Sequence, residues 1–315
     1  MRINGKRTVA FTLVVALTIG LVACGAKDDG KTATSQTTTE TSDSTKQTTT
    51  ASQQADTQKT TQSSESKIHQ PEITEDLRET NNEVVGTGAN IKDRDENNVP
   101  NGYKYYMSQY SDYGAHFLMD TNEKTIYLTS DEGYETGNTP KILQTLKEKN
   151  VKMTFFVTQA FVDSAPELLQ QMIDDGHTVG NHTIKHPSYP GMPGLSLEDQ
   201  ADDVLTLEKN VKDQFGYEMR YFRYPGGYFS QQSLALFQSM GFETVFWSFA
   251  YRDWDTENQP DPTVALDTMT SQLHPGAIYL LHAVSDTNTA VLGDFIDAAR
   301  AQGYKFAAFG NENRY

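Results

Sequence analysis

From residue 124 onward the chain alternates short apolar, β-branched runs with longer stretches whose apolar residues recur every three or four positions. The runs at 125–129, 153–157, 177–181, 221–224, 243–247, 277–281 and 304–309 predict seven strands. The stretches between them predict helices with nameable ends. Pro140 suits a first helical turn, and Ser164-Ala165-Pro166-Glu167 and Ser196-Leu197-Glu198-Asp199 read as capping boxes. Gly176, Gly216, Gly241 and Gly303 read as helix stops. Strands that alternate with helices imply a parallel sheet, because a parallel neighbour requires a crossover. Seven such units, with no glycine-rich phosphate turn after the first strand, predict an α/β fold of the incomplete, distorted (β/α)7-type barrel kind rather than a doubly wound sheet.

Upstream the pattern changes in kind. Residues 1–23 carry Arg2, Lys6 and Arg7, no acid, and an apolar run over 9–22 interrupted only by Thr12, Thr18 and Gly20. That predicts a signal peptide, the run being too short and too interrupted for a spanning helix. It ends in Leu21-Val22-Ala23-Cys24, which resembles the lipobox of bacterial lipoproteins, and Cys24 is the chain's single cysteine. The resemblance implies that Cys24 is the lipidated first residue of the mature chain, held by a diacylglycerol on the outer face of the cytoplasmic membrane, where two acyl chains anchor stably. Residues 25–67 contain no Leu, Ile, Val, Met or aromatic residue, so 24–67 is expected to be a lipidated, disordered tether of Thr, Ser and Gln. Roughly forty such residues span on the order of 35 Å. Residues 68–123 read as a partly ordered lead-in whose aromatic patches, at 103–106 and 110–117, pack on the domain at 124–315.

Charge narrows the partners. The chain's net charge is −16, and losing Arg2, Lys6 and Arg7 with the signal peptide takes it to −19. No nucleic-acid partner is expected, and attraction to anionic headgroups is excluded as the means of holding the membrane.

The polar residues fall where barrel enzymes keep their chemistry. Asp131-Glu132, His182 with His186, Arg223, Asp253-Trp254 and His282 each follow a predicted strand, at the C-terminal mouth. Neighbouring carboxylates at a strand end point to opposite sides, so one can ligate a metal while the other stays free to take a proton. Glu132, His182 and His186 are the expected ligands of one divalent ion, with a position left open for water. Zinc is the default for these donors, while cobalt, nickel or manganese fits them too. Asp131 is the expected general base and His282 the general acid, with Arg223 paired to Asp131 and Asp253 holding the tautomer of His282. Pro225 and the glycines after it let backbone approach a ligand closely. Tyr224, Pro225, Gly226, Trp254 and Leu280 complete the expected substrate contacts.

These residues resemble the NodB-homology polysaccharide deacetylases, carbohydrate esterase family 4. Five motifs occur in the family's order: Thr129–Gly133 for its Thr-Phe-Asp-Asp-Gly block, His182–His186 for His-Ser/Thr-x-x-His, Arg223–Gly227 for Arg-x-Pro-x-Gly, then Asp253-Trp254 and Leu280–His282. The stretches 123–129, 133–135, 246–248 and 274–282 are most similar to the delta-lactam-biosynthetic de-N-acetylases, which act on N-acetylmuramic acid. The resemblance implies metal-dependent hydrolysis of the acetamide of N-acetylated sugars in peptidoglycan, N-acetylmuramic acid preferred, with acetate released. An N-acetylglucosamine deacetylase of wall or chitin-like polymer, or a glycan-binding lipoprotein without turnover, are the alternatives. Ser130, Glu132 and Gly226 depart from the pattern, standing where the family has Phe, Asp (Asn in part of the muramic group) and an aromatic or basic residue.

Overall fold

The computed structural model describes residues 68–88 and 92–311; the signal peptide, Cys24 and the tether lie outside the described residues. Within these the helices are α1 (Glu75–Glu79), α2 (Asn101–Tyr110), α3 (Thr139–Glu148), α4 (Gln159–Ser164), α5 (Pro166–Asp174), α6 (Leu197–Phe215), α7 (Gln231–Ser239), α8 (Pro262–Ser271) and α9 (Asp286–Ala301). The strands are β1 (Val85–Gly86), β2 (Ala115–His116), β3 (Thr125–Glu132), β4 (Thr154–Val157), β5 (Thr178–Asn181), β6 (Tyr221–Phe222), β7 (Tyr228–Phe229), β8 (Glu243–Val245), β9 (Ala277–His282) and β10 (Lys305–Ala307). All seven predicted strands are present, as β3 to β6 and β8 to β10. No described helix is long and apolar enough to cross a membrane.

β3 organises the sheet. β9 pairs with it over Ile126–Asp131, a register that overlaps those of both β10 (125–127) and β4 (129–132). β9 therefore holds one edge of β3, while β10 and β4 share the other in succession. From β4 the parallel order runs β5, β6, β8, β2. Beyond β8 the chain bends back to β9: Ser248 and Phe249 both donate backbone N–H groups to the Ile278 carbonyl, and Leu280 N–H donates to the Phe249 carbonyl. The sheet is thus a curled, incomplete (β/α) barrel.

Side-chain alternation along β3 divides the core in two. Ile126 and Leu128 face outward with Leu143 and Leu146 of α3 and Leu292 and Phe295 of α9, while Tyr127 belongs to an inner cluster with Phe156, Phe222, Phe246 and Ile278. The lead-in enters that inner cluster. Phe117 stacks on Phe246 with centroids 4.3 Å apart and planes 5° apart, Tyr103 and Tyr106 are buried, and β2 pairs with β8. Burying each such ring stabilises by roughly 1.5–3 kcal/mol.

The helix ends follow local chemistry with one exception. The Ser196 side chain accepts from Asp199 N–H, and Gly176, Gly216, Gly241 and Gly303 all take positive φ just past a helix. The expected capping box at Ser164 does not form. Ser164 instead ends α4, its hydroxyl bonded back to the Ala160 carbonyl, and Ala165 with Pro166 opens α5 without a side-chain cap.

Candidate active site

Asp131 ends up opposite His282 because β3 and β9 are parallel neighbours in register from Ile126↔Ala277 through Asp131↔His282. Its carboxylate accepts from the Arg223 guanidinium (Nη1 to Oδ1, 2.9 Å), and its other oxygen lies 3.4 Å from His182 Nε2. Burial opposes ionisation, but the His182, Arg223 and His282 charges outweigh it and hold Asp131 below the ordinary carboxylate value. Burial also pushes His182 down to about 4, so near neutrality the fixed charge of Arg223, joined by that of protonated His282, keeps Asp131 ionised.

Arg223 follows β6 directly and is wholly buried. It is satisfied at every side: Nε donates to the Val245 carbonyl (2.9 Å), Nη2 to the Phe246 carbonyl (3.0 Å), and its plane lies 4.1 Å from the Phe156 ring centroid. A planar fork with three separate tasks is a site only arginine fills.

His282 is held by Asp253 through two contacts. Nδ1–H donates to Oδ1 at 2.8 Å, and the backbone N–H donates to Oδ2 at 2.8 Å. Asn288 also donates to Oδ2. Nε2 of His282 is therefore the nitrogen left to exchange a proton. Burial disfavours the imidazolium, but the Asp253 hydrogen bond and charge, aided by Asp131, overcome it and raise the His282 pKa above its ordinary 6.5.

His182 and His186 stand on a strained turn. Thr183 and His186 both adopt positive φ, 72° and 45°. Asn181 Oδ1 accepts from Thr183 N–H, Asp203 accepts from Ile184 N–H at 2.7 Å, and Thr183 Oγ1 accepts from His186 N–H. His182 Nδ1–H donates to the Arg223 carbonyl, which leaves its Nε2 lone pair facing Asp131. The two rings meet edge to face, 5.0 Å apart.

One cavity of about 650 Å³ gathers Asp131, His182, His186, Gly226, Trp254, Leu280 and His282. Glu132 is not in its lining. β3 continues through Glu132, which pairs with Val157, so alternation turns this side chain to the face opposite Asp131. There Ser130 Oγ donates to Oε1 at 2.9 Å and Thr139 Oγ1 to Oε2 at 3.3 Å, and burial pushes the carboxyl up to about 8. The expected ligand set of Glu132, His182 and His186 does not converge, and no group of three His, Cys, Asp or Glu residues among the described residues is arranged to hold a metal. The two histidines face the cavity; the third donor is turned away.

Tyr224 is likewise outside the cavity lining: it is fully buried, with its hydroxyl donating to Ser233 Oγ at 2.9 Å. Pro225 is buried and outside the cavity lining, and Gly227 N–H is used by the Tyr224 carbonyl, leaving Gly226, at φ 63°, as the residue of this turn on the cavity. Trp254 is 56% exposed at the rim. The structure adds Tyr134, Lys185, Trp247 and Tyr251 to the lining and Asn288 behind it, none of them given a role from the sequence. An aromatic residue just after a strand at the mouth was the available signal for Tyr134 and Trp247.

A parallel, incomplete barrel that carries an ionised carboxylate, a buried arginine and an aspartate-bound histidine at one mouth is built for acid–base hydrolysis. The family described as polysaccharide deacetylase matches residues 119–245. The peptidoglycan-N-acetylmuramic acid deacetylase PdaA of Bacillus subtilis is 44% identical over 207 residues, which cover 66% of this chain and 78% of that protein. The solved structure of Bacillus subtilis PdaA, a family 4 carbohydrate esterase, superposes with a TM-score of 0.68 at 40% identity, covering 73% of this chain and 96% of that one. A family 4 carbohydrate esterase from Bacillus anthracis superposes at 0.59 with 35% identity, covering 73% and 95%. The chain belongs to the polysaccharide deacetylases, the carbohydrate esterases of family 4.

Proposed function

We propose that this protein hydrolyses the acetamide of N-acetylated sugars in peptidoglycan, with N-acetylmuramic acid as its target, and releases acetate. The observation that carries this reading is the Asp131–His282 register pair, a base and an acid facing one cavity with Arg223 and Asp253 as their respective partners. Asp131, kept ionised, takes a proton from water as the water oxygen bonds to the acetyl carbon. His282, protonated at Nε2, then gives its proton to the sugar nitrogen as the C–N bond breaks, leaving a free amine and acetate. Asp131 holds the proton it took, and exchange with solvent restores both groups.

Family membership supports a divalent cation in the reaction, and His182 and His186 are the donors this chain presents for it. Glu132, turned to the outer face of β3, does not fit as the third donor. The muramic target is supported by likeness to an enzyme named for it. Gly226, which offers no side chain where related proteins have an aromatic or basic residue, favours N-acetylglucosamine as the second reading. The leader and Cys24 support work outside the cytoplasmic membrane on a lipid anchor, with the tether giving reach into the wall.

Acetate release from purified peptidoglycan, measured with and without chelator and followed by mass spectrometry of the digested sugars, tests the reading. Loss of 42 mass units from muramic acid, of order one acetyl group, is the expected outcome, whereas loss from glucosamine alone selects the second reading. Intact wall with no acetate under any metal condition rejects both.

A further inference from the structure

A second cavity of about 500 Å³ adjoins the first, and Trp247 and Ala250 line both. Its walls include Lys92, Arg94, Tyr103, Thr268 and Gln272, and among the described residues no carboxylate lines it. In a chain of net charge −16 a cavity carrying two cations and no acid is a local reversal of sign. The two cations differ. Arg94 is half-buried and fixed, with Nη1 donating to the Asn98 carbonyl at 2.7 Å and Nη2 to Gln272. Lys92 is exposed. Tyr103 and Trp247 supply buried aromatic surface beside them.

We propose that this adjoining cavity is a subsite for the carboxylate on the lactyl arm of the wall glycan bound in the reaction cavity, either the free lactyl group or the peptide attached to it. The inference rests on the deacetylase reading above and extends it. With the reacting sugar over Asp131 and His282, the wall shared at Trp247 and Ala250 puts Lys92 and Arg94 beside the reaction cavity, within the surroundings of the sugar's substituents. A pyranose face packs on aromatic carbon, while a fixed guanidinium and a mobile ammonium together suit a carboxylate. Two sources in peptidoglycan present that group: the lactyl carboxylate of a muramic acid without its peptide, and the carboxylates of an attached peptide. A neutral chitin-like strand presents neither, so the subsite discriminates between wall glycan and chitin where Gly226 cannot. Among the described residues Lys185 is the only Lys or Arg lining the reaction cavity, so the charge that reads the carboxylate is concentrated next door.

Binding of the full-length chain to three ligands tests this, by calorimetry and by KM for acetate release: glycan strands with peptides, the same strands stripped of peptide, and chitotetraose. Lys92→Glu, at an exposed position that leaves folding intact, is expected to weaken one or both carboxylate-bearing ligands about fivefold and leave chitotetraose and kcat unchanged. Which ligand weakens identifies the carboxylate. Arg94→Gln is expected to act in the same sense, and wild-type affinity for the affected ligand is expected to fall with salt more steeply than that of Lys92→Glu. Equal losses for all three ligands, or no loss for any, overturn the subsite. Wild-type protein that releases no acetate from any strand rejects the deacetylase reading instead, and the calorimetric comparison still decides the subsite.

Discussion

Ser130 and Glu132 lie on the same face of β3, hydrogen-bonded to each other at 2.9 Å, and that face is the one turned away from Asp131. Both residues depart from the family pattern, and the contact couples the two departures: a hydroxyl beneath the strand end accompanies a longer acid that reaches back to it. Thr139 at the start of α3 completes the arrangement.

Glu132 is therefore expected to act as a neutral structural acid. Glu132→Gln keeps size and hydrogen bonding, so acetate release near neutral pH should stay within about twofold of wild type, where loss of a metal ligand would cost at least about tenfold. Glu132→Ala strands two buried hydroxyls and should lower unfolding free energy by about 1–3 kcal/mol. Activity collapsing in Glu132→Gln while its Tm holds would restore the ligand role.

The same residue sets a pH dependence of stability. Its folded pKa, about 8, is above the ordinary 4.5, so folding favours the protonated form. The stabilisation is fully present below 4.5 and is lost as pH rises through about 8. Urea midpoints measured from pH 5 to 9 should fall for wild type and fall less for Glu132→Gln. Parallel curves for the two proteins would show that Glu132 does not titrate in this window.

The strands were legible because each contains a short apolar or β-branched run that is buried in the sheet, and the site was legible because its polar residues follow those runs. What escaped were features set by distant partners. Asp131-Glu132 lies past the strand expected at 125–129, with its carboxylates read as pointing to opposite sides. β4 and β9 carry the pairing on to both residues, and alternation then sends Glu132 to the outer face, away from the histidines of the expected ligand set. Tyr224 reads as a residue at the mouth, yet it is held by Ser233 on α7 and stacks 5.6 Å from Phe246, neither of which its own neighbourhood announces. The two-residue strand Ala115–His116 has no periodicity to detect and exists through β8.

Acid–base roles predict a bell-shaped profile. His282 must be protonated to donate, and its pKa is raised above the ordinary 6.5, so the alkaline limb of kcat/KM should lie on the alkaline side of that value. Asp253→Asn removes the charge that raises it, and the alkaline limb should move toward 6.5 or below. His282→Ala and Asp131→Asn should each lower kcat by about 10²–10⁴ with the fold retained. An unmoved alkaline limb in Asp253→Asn would assign that limb to another group.

Trp254 is exposed at the rim with the Arg252 guanidinium 5.3 Å from its ring centroid, and it touches neither Asp131 nor His282 through any hydrogen bond. Its expected work is holding a sugar face. Trp254→Ala should raise KM for glycan about fivefold to tenfold and leave kcat within twofold, as loss of stacking alone would. A fall in kcat with KM unchanged would place Trp254 in the chemistry instead.

Arg223 couples stability to catalysis. It ties Asp131 to the Val245 and Phe246 carbonyls, so Arg223→Ala leaves a buried carboxylate and two carbonyls without their donor, at a cost of about 3–5 kcal/mol. Arg223→Lys keeps the charge but cannot make three contacts from one ammonium, so its Tm should lie between those of wild type and Arg223→Ala. The catalytic signature is separate from the loss of stability. Asp131 is held below its ordinary value against burial, and its ionised form is present above that value and lost as pH falls through its lowered pKa. With Arg223 gone, burial prevails and the pKa rises, so the acid limb of kcat/KM should move to higher pH in Arg223→Ala and less in Arg223→Lys. Measured at a temperature where both variants are folded, an acid limb that stays in place would separate the arginine from the ionisation of Asp131 and leave it a purely structural strut.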